Sequence, residues 1–127
     1  MSSLRAIDRR HLETLLGMAG GYVLDFTDAT FGEFFRDYGP IEIHSEKYAS
    51  AGTSKANKLR EFWRLEPDRL VGAILRGLLE HWRVINSNPG EDERCLAERC
   101  ADIATSLAPP GVRFIAQDVS LRIWGDS

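Results

Sequence analysis

Apolar residues recur at helical spacing over most of the chain. Leu4, Ile7, Leu12 and Leu15 fall three to five positions apart, with Leu16 four beyond Leu12, the period of a helix with one buried face. Ser3, just ahead of them, offers a side-chain oxygen to the first open N–H groups. A first helix is therefore predicted from Ser3 to about Gly17. GMAGGY follows, and three glycines in five residues favour turn geometry. A second, short helix is predicted from Asp28 or Thr30, turning Phe31, Phe34, Phe35 and Tyr38 toward a core, with Gly39-Pro40 as its stop. Ile41 and Ile43 alternate for a few residues only, enough for a short extended piece and too little for a sheet.

Thr53 or Ser54 caps a third helix, in which Leu59, Phe62 and Trp63 share one side and which ends near Leu65. Glu66-Pro67-Asp68 places proline in the first turn of a fourth helix. Its wide apolar face runs through Leu70, Val71, Ile74, Leu75, Leu78, Leu79, Trp82 and Ile85, so this helix is predicted to be the central one. After the NSNPG loop, Glu91, Asp92 and Glu93 stand where a helix N-terminus welcomes negative charge, and Leu96, Cys100, Ile103 and Leu107 form a fifth stripe that PPG ends. Val119, Leu121 and Ile123 alternate in the last segment, and Trp124 stands close to the C-terminal residue. The predicted fold class is all-α: a compact bundle of about five helices, with a short extended segment near residues 41–44 and a partly extended C-terminal tail. Residues 1–110 read as one helical domain and 111–127 as a tail or linker.

At 127 residues the chain is long enough to bury roughly 65% of its unfolded surface. A hydrophobic content of 43%, a charged content of 28% and a net charge of -3 argue against a protein that coats nucleic acid, although a local basic patch stays open. Cys95 and Cys100, five positions apart on one helix, point about 140° away from each other, which disfavours a disulfide between them. No histidine or further cysteine completes a zinc set. The N-terminal MSSLRAIDRRHLE lacks the apolar core of a secretory signal, no run has the length of a membrane span, and the expected compartment is the cytoplasm.

Three groups of residues carry candidate chemistry. In GTSKANKLREFW, the open N–H groups of a helix start, the hydroxyls of Thr53 and Ser54 and the amines of Lys55 and Lys58 could hold a phosphate or carboxylate, with Arg60 beside them. Between Glu46 and Arg64, five basic residues stand against two acidic ones, a local charge of +3. The competing explanation is a capped amphipathic helix with a solvated basic side. The second group is Arg76-Gly-Leu-Leu-Glu-His81, which matches the R-x(4-6)-H spacing of HEPN-type ribonucleases. There the histidine moves the 2′-hydroxyl proton and the arginine holds the scissile phosphate. Here Gly77 replaces the usual polar residue, and Arg5 to His11 matches the same loose pattern. The third group is the stripe Arg69, Arg76 and Arg83, solvated or part of a basic groove with Lys55 and Lys58. His11 is expected to be packed on the first helix, His44 has no assignable place, and no histidine spacing suits a metal. Phe26, Phe31, Phe34, Phe35, Phe62, Trp63 and Trp82 read as core, since most fall at helical spacing beside aliphatic residues.

GYVLDFTDATFGEFF, IEIHSEKYASAGTSKANKLREFW and EPDRLVGAILRGLLEHW, taken together, resemble the helical N-terminal module of bacterial abortive-infection family proteins. The likeness covers about residues 9–85. It implies a front module followed by a separate C-terminal effector, often HEPN-like, reached through a segment similar to FIAQDVSLRIWGDS. It transfers no catalytic residue to this chain, and it places the nuclease motif in the effector. The expected function is a non-enzymatic interaction or sensor module that regulates an attached or partner effector, with a basic face that contacts nucleic acid or another anion. The alternatives are a small metal-independent ribonuclease using Arg76 and His81, and a helix-turn-helix variant reading DNA with helices three and four. A protein partner or fused effector is expected, nucleic acid is a further candidate, and neither cofactor, metal nor membrane is implied.

Overall fold

The computed structural model describes residues 2–109. Five α-helices occur among them: α1 Ala6–Leu15, α2 Asp28–Arg36, α3 Lys55–Leu65, α4 Asp68–Ile85 and α5 Glu91–Leu107. Short 3-10 turns at Met18–Gly20 and Glu46–Tyr48 join them. No strand occurs among the described residues. The predicted tail or linker over 111–127, with its alternation at Val119 to Trp124, lies outside them.

The helices start and stop where local chemistry satisfies their open ends. Thr27 caps α2 by accepting from the N–H of Thr30, and Ser54 caps α3 by accepting from the N–H of Asn57 at 3.1 Å. Gly17, at φ +64°, takes the left-handed conformation just past α1 that a side chain would resist. At the start of α1 the expectation fails. Ser3 is not the cap: its hydroxyl and its N–H go to the carboxylate of Asp68 at the head of α4. Arg5 occupies the cap position instead, with its N–H on Asp8 at 3.1 Å. A long-range carboxylate has drawn the serine away from its own helix, which begins at Ala6. Pro67 likewise stands at the N-cap of α4, one position ahead of the first turn.

α4 is central. Leu70, Val71, Ile74, Leu75, Leu78, Leu79 and Trp82 are buried along it, while Val84 and Ile85 at its end are exposed. α5 packs on both α4 and α1, presenting Cys100, Ile103, Ala104 and Leu107. The crossing with α4 is tight: a Cβ on Gly72 would lie 2.6 Å from the Cβ of Ala108 and 3.1 Å from the carbonyl oxygen of Ala104. The aromatic residues form a continuous edge-to-face chain, with Phe31 on Phe35 at 5.1 Å and Phe35 on Phe62 at 5.1 Å between ring centres. Each large side chain buried there contributes about 1.5–3 kcal/mol of transfer free energy. Phe34 alone of the predicted set stays partly exposed. Ile41 and Ile43 belong to neither helix nor strand, yet both are buried; they anchor the loop between α2 and α3 to the core. Cys95 is exposed and Cys100 buried, and both are free thiols.

Candidate functional site

The head of α3 is built from two chain segments. The backbone N–H of Ala56 donates to the carbonyl of Gly21 at 3.0 Å, so the GMAGGY turn lies across the helix start. A Cβ on Gly21, whose φ is +89°, would stand 3.2 Å from the Cβ of Ser54. With Asn57 N–H on the Ser54 hydroxyl, two of the helix's initial open donors are used within the fold. Thr53 is exposed beside them.

The basic side chains of the stretch are held as well. The stem of Lys55 is covered, leaving 12% of the side chain accessible; its amine sits 3.5 Å from Asp28 and 5.4 Å from the centre of the Tyr22 ring. Arg60 reaches Glu13 on α1 through Nε at 2.9 Å and Asn57 through Nη1 at 2.8 Å. Lys47 pairs with Glu66 at 2.7 Å, and Arg64 pairs with the buried Glu61. That arginine first, with the Ser50 hydroxyl, holds the Glu61 carboxyl below its ordinary range although burial opposes it. Glu66 also accepts from the Tyr48 hydroxyl at 2.6 Å, and burial followed by this carboxylate pushes the Tyr48 phenol well up.

Lys58 differs. Its amine donates to Nδ1 of His44 at 2.8 Å, and Nε2 of the same ring lies 2.7 Å from the carbonyl of Asp28. An ammonium has no lone pair to offer, so Nδ1 is the acceptor and Nε2 carries the proton. His44, which had no place in the sequence reading, bridges α2 to α3. The local +3 therefore meets carboxylates of Glu13, Asp28 and Glu66, leaving Lys58 as the amine of the stretch that faces a neutral ring. An anion docking on this face meets Lys58 first and competes with carboxylates for Lys55 and Arg60.

Arg76 and His81 stand on α4 and open on one groove of about 870 Å³, bordered by α2 and α5. Arg76 donates from Nη2 to the carbonyl of Ala108, closing the end of α5. His81 lies flat on Phe26, with ring centres 4.4 Å apart, and Nε2 is 2.6 Å from the Asp25 carboxylate. The carboxylate accepts, so Nε2 again bears the proton. Both groups thus have partners inside the fold, and neither donates to the other. Gly77 between them is closely covered: a Cβ there would lie 2.0 Å from the Tyr38 hydroxyl oxygen and 2.9 Å from Cζ of Phe34, so those side-chain tips would have to move. The glycine that breaks the ribonuclease pattern is where the tips of the Phe34 and Tyr38 side chains meet α4. Burial, then Glu80 and Asp37, raises the Tyr38 phenol.

Arg69 and Arg83 are exposed on α4. α3 and α4 are separated by Glu66 and Pro67 alone, and the burial of Phe62, Trp63, Leu70 and Val71 commits their facing sides to the core. His11 is half-buried in an open cleft between α1 and α5 that Arg99 and Asp102 also line. Among the described residues no three His, Cys, Asp or Glu side chains gather closely enough to hold a metal, and no helix is long and apolar enough to cross a membrane.

Sequence reasoning missed the counter-charges Glu13, Asp25 and Glu66 and the hydroxyl of Tyr48. Only their acidic or phenolic nature could have flagged them, because each pairing joins distant parts of the chain. Comparisons with protein-family models, with curated proteins and with solved structures give no match. The fold and the candidate site define an all-α helical bundle whose polar residues hold its elements together.

Proposed function

We propose that this chain is a non-enzymatic interaction module of an abortive-infection type defence protein, regulating an attached or partner effector. One observation carries the reading. The two blocks that resemble such modules, Gly21–Phe35 and Ile41–Trp63, close on each other through Gly21 with Ala56 and through Asp28 with Lys55 and His44. A string that specific, spent on joining two helices, suits a module kept for its shape and surface. The face around Lys58 is the surface offered to an anionic partner, nucleic acid included.

A bacteriophage challenge tests the reading. Cells carrying the natural locus should lose protection when this reading frame is deleted, and should regain it on complementation. Equal plaque counts with and without the frame would remove the defence role.

The ribonuclease reading has one observation in its favour, the shared groove of Arg76 and His81. Against it, the arginine that would hold phosphate is bound to the Ala108 carbonyl, and the histidine nitrogen Nε2 is bound to Asp25.

A further inference from the structure

Ala73, Gly77, Glu80 and Val84 recur along α4 at intervals of three and four, so they share one face of the helix. That face is the α4 wall of the 870 Å³ groove, with Phe34 bordering it from α2 and Ala101 from α5. The groove stays open because Ala73, Gly77 and Ala101 carry little or no side chain. Val84, at its far end, is 76% exposed, more than any other large apolar residue among those described.

The course of the chain says what is in reach of this groove. α5 ends at Leu107, and Ala108 is fastened at the groove's near end: Arg76, which lines the groove, donates to its carbonyl, and its Cβ packs against Gly72, next to Ala73. The chain therefore leaves the described fold at the Ala73 end. From Ala73 to Val84 the groove follows α4 for about 16 Å, at 1.5 Å per residue. Residues 110–118 can span up to about 30 Å, enough to bring the next ones to any point along it.

Those next residues suit the groove in pattern and charge. Val119, Leu121 and Ile123 alternate, so an extended segment would present all three on one side, over about 13 Å, with Trp124 beyond them. Asp37 and Glu80 are exposed at the groove's edge and have no ion pair among the described residues. Behind burial, both help to raise the Tyr38 phenol, so they stand on the same side of the groove. Arg122, between Leu121 and Ile123, carries the complementary charge on a stem long enough to bend over that edge.

We propose that this groove is the docking site of the chain's own segment Val119–Trp124, which lies along α4 with Leu121 and Ile123 over Gly77 and Ala101 and with Arg122 toward Asp37 and Glu80. The stretch that reads in sequence as a tail or linker is then a strap over Arg76 and His81. The inference uses neither the Lys58 face nor the defence reading.

Isotope-edited NMR on the full chain tests it. Nuclear Overhauser contacts should join the side chains of Leu121, Ile123 or Trp124 to the methyl groups of Val84 and Ala101. In an equal mixture of labelled and unlabelled protein, those contacts should be missing between chains. Leu121→Asp combined with Ile123→Asp should abolish them and shift the Val84 and Ala101 signals, while the signal of the buried Leu12 on α1 stays in place. The proposal is overturned if residues 110–127 of the parent make no contact with the groove, or if the contacts form only between two copies. It is overturned equally if the Val84 and Ala101 signals ignore the double substitution.

Discussion

The Ala56 N–H and the Gly21 carbonyl, 35 positions apart in the chain, form a 3.0 Å hydrogen bond that lays the GMAGGY turn over the head of α3. That bond and the Ser54 hydroxyl divide the helix's initial donors between them. Ser54→Ala leaves the Asn57 N–H without its cap and should cost about 1 kcal/mol, the usual loss for a serine cap. Thr53→Ala, at the exposed neighbour, should stay within about 0.5 kcal/mol of the parent. Urea denaturation of the two variants checks both; equal losses would show that Ser54 is not the cap that matters.

Gly77→Ala should destabilise the fold even though alanine is the better helix former. The propensity gain is about 1 kcal/mol. The added Cβ meets the Tyr38 hydroxyl oxygen at 2.0 Å and Phe34 at 2.9 Å, and overpacking of this kind costs typically about 1–3 kcal/mol. Tyr38→Phe in the same background removes the nearest atom and should restore part of the loss. Thermal melting of the single and double variants reads the difference. A Gly77→Ala protein that melts above the parent would disprove this packing.

Acid should erase the stabilising contribution of Glu61. Its carboxyl is held below the ordinary range by Arg64, so the native state binds a proton less readily than the unfolded chain. The contribution is present above the unfolded carboxyl pKa of about 4.3 and fades as pH falls through the lower native value. Glu61→Gln should therefore be clearly less stable than the parent at neutral pH, with the gap narrowing in acid. Urea midpoints measured across that range check the sign; a gap that widens as pH falls would contradict it.

The two thiols should react at very different rates. Cys95 is exposed, while burial pushes the Cys100 thiol up to about 12, leaving little thiolate to attack a reagent near neutral pH. A colorimetric thiol assay on the native protein should count one rapid equivalent, lost in Cys95→Ser, and a second only after denaturation.

The helix order was legible in the sequence because helix ends and buried faces are local. Ser54, Asp28 and the acidic run at Glu91 signal helix starts within a few residues, and Leu59, Phe62 and Trp63 share a face by spacing alone. Ser3 shows where that logic stops: its intended partners are local, while Asp68, which binds it, is 65 positions away. The basic stretch shows the same limit in its charge. Its excess is countable in the sequence, but Glu13 reaches Arg60 across 47 positions and Asp28 reaches Lys55 across 27. No periodicity encodes such pairings. Gly77 looked like a defect in a catalytic motif because the Tyr38 and Phe34 side chains that rest on it become neighbours only in the folded chain.

On the proposed reading, the charged and polar residues of this chain hold a binding module together and do not cleave RNA. Incubation of the purified protein with labelled single-stranded RNA, without added metal, tests it most directly beside a folded His81→Ala variant. The account predicts intact RNA and indistinguishable traces for the two proteins. Cleavage by the parent that disappears in His81→Ala would contradict it and establish the Arg76 and His81 groove as an active site.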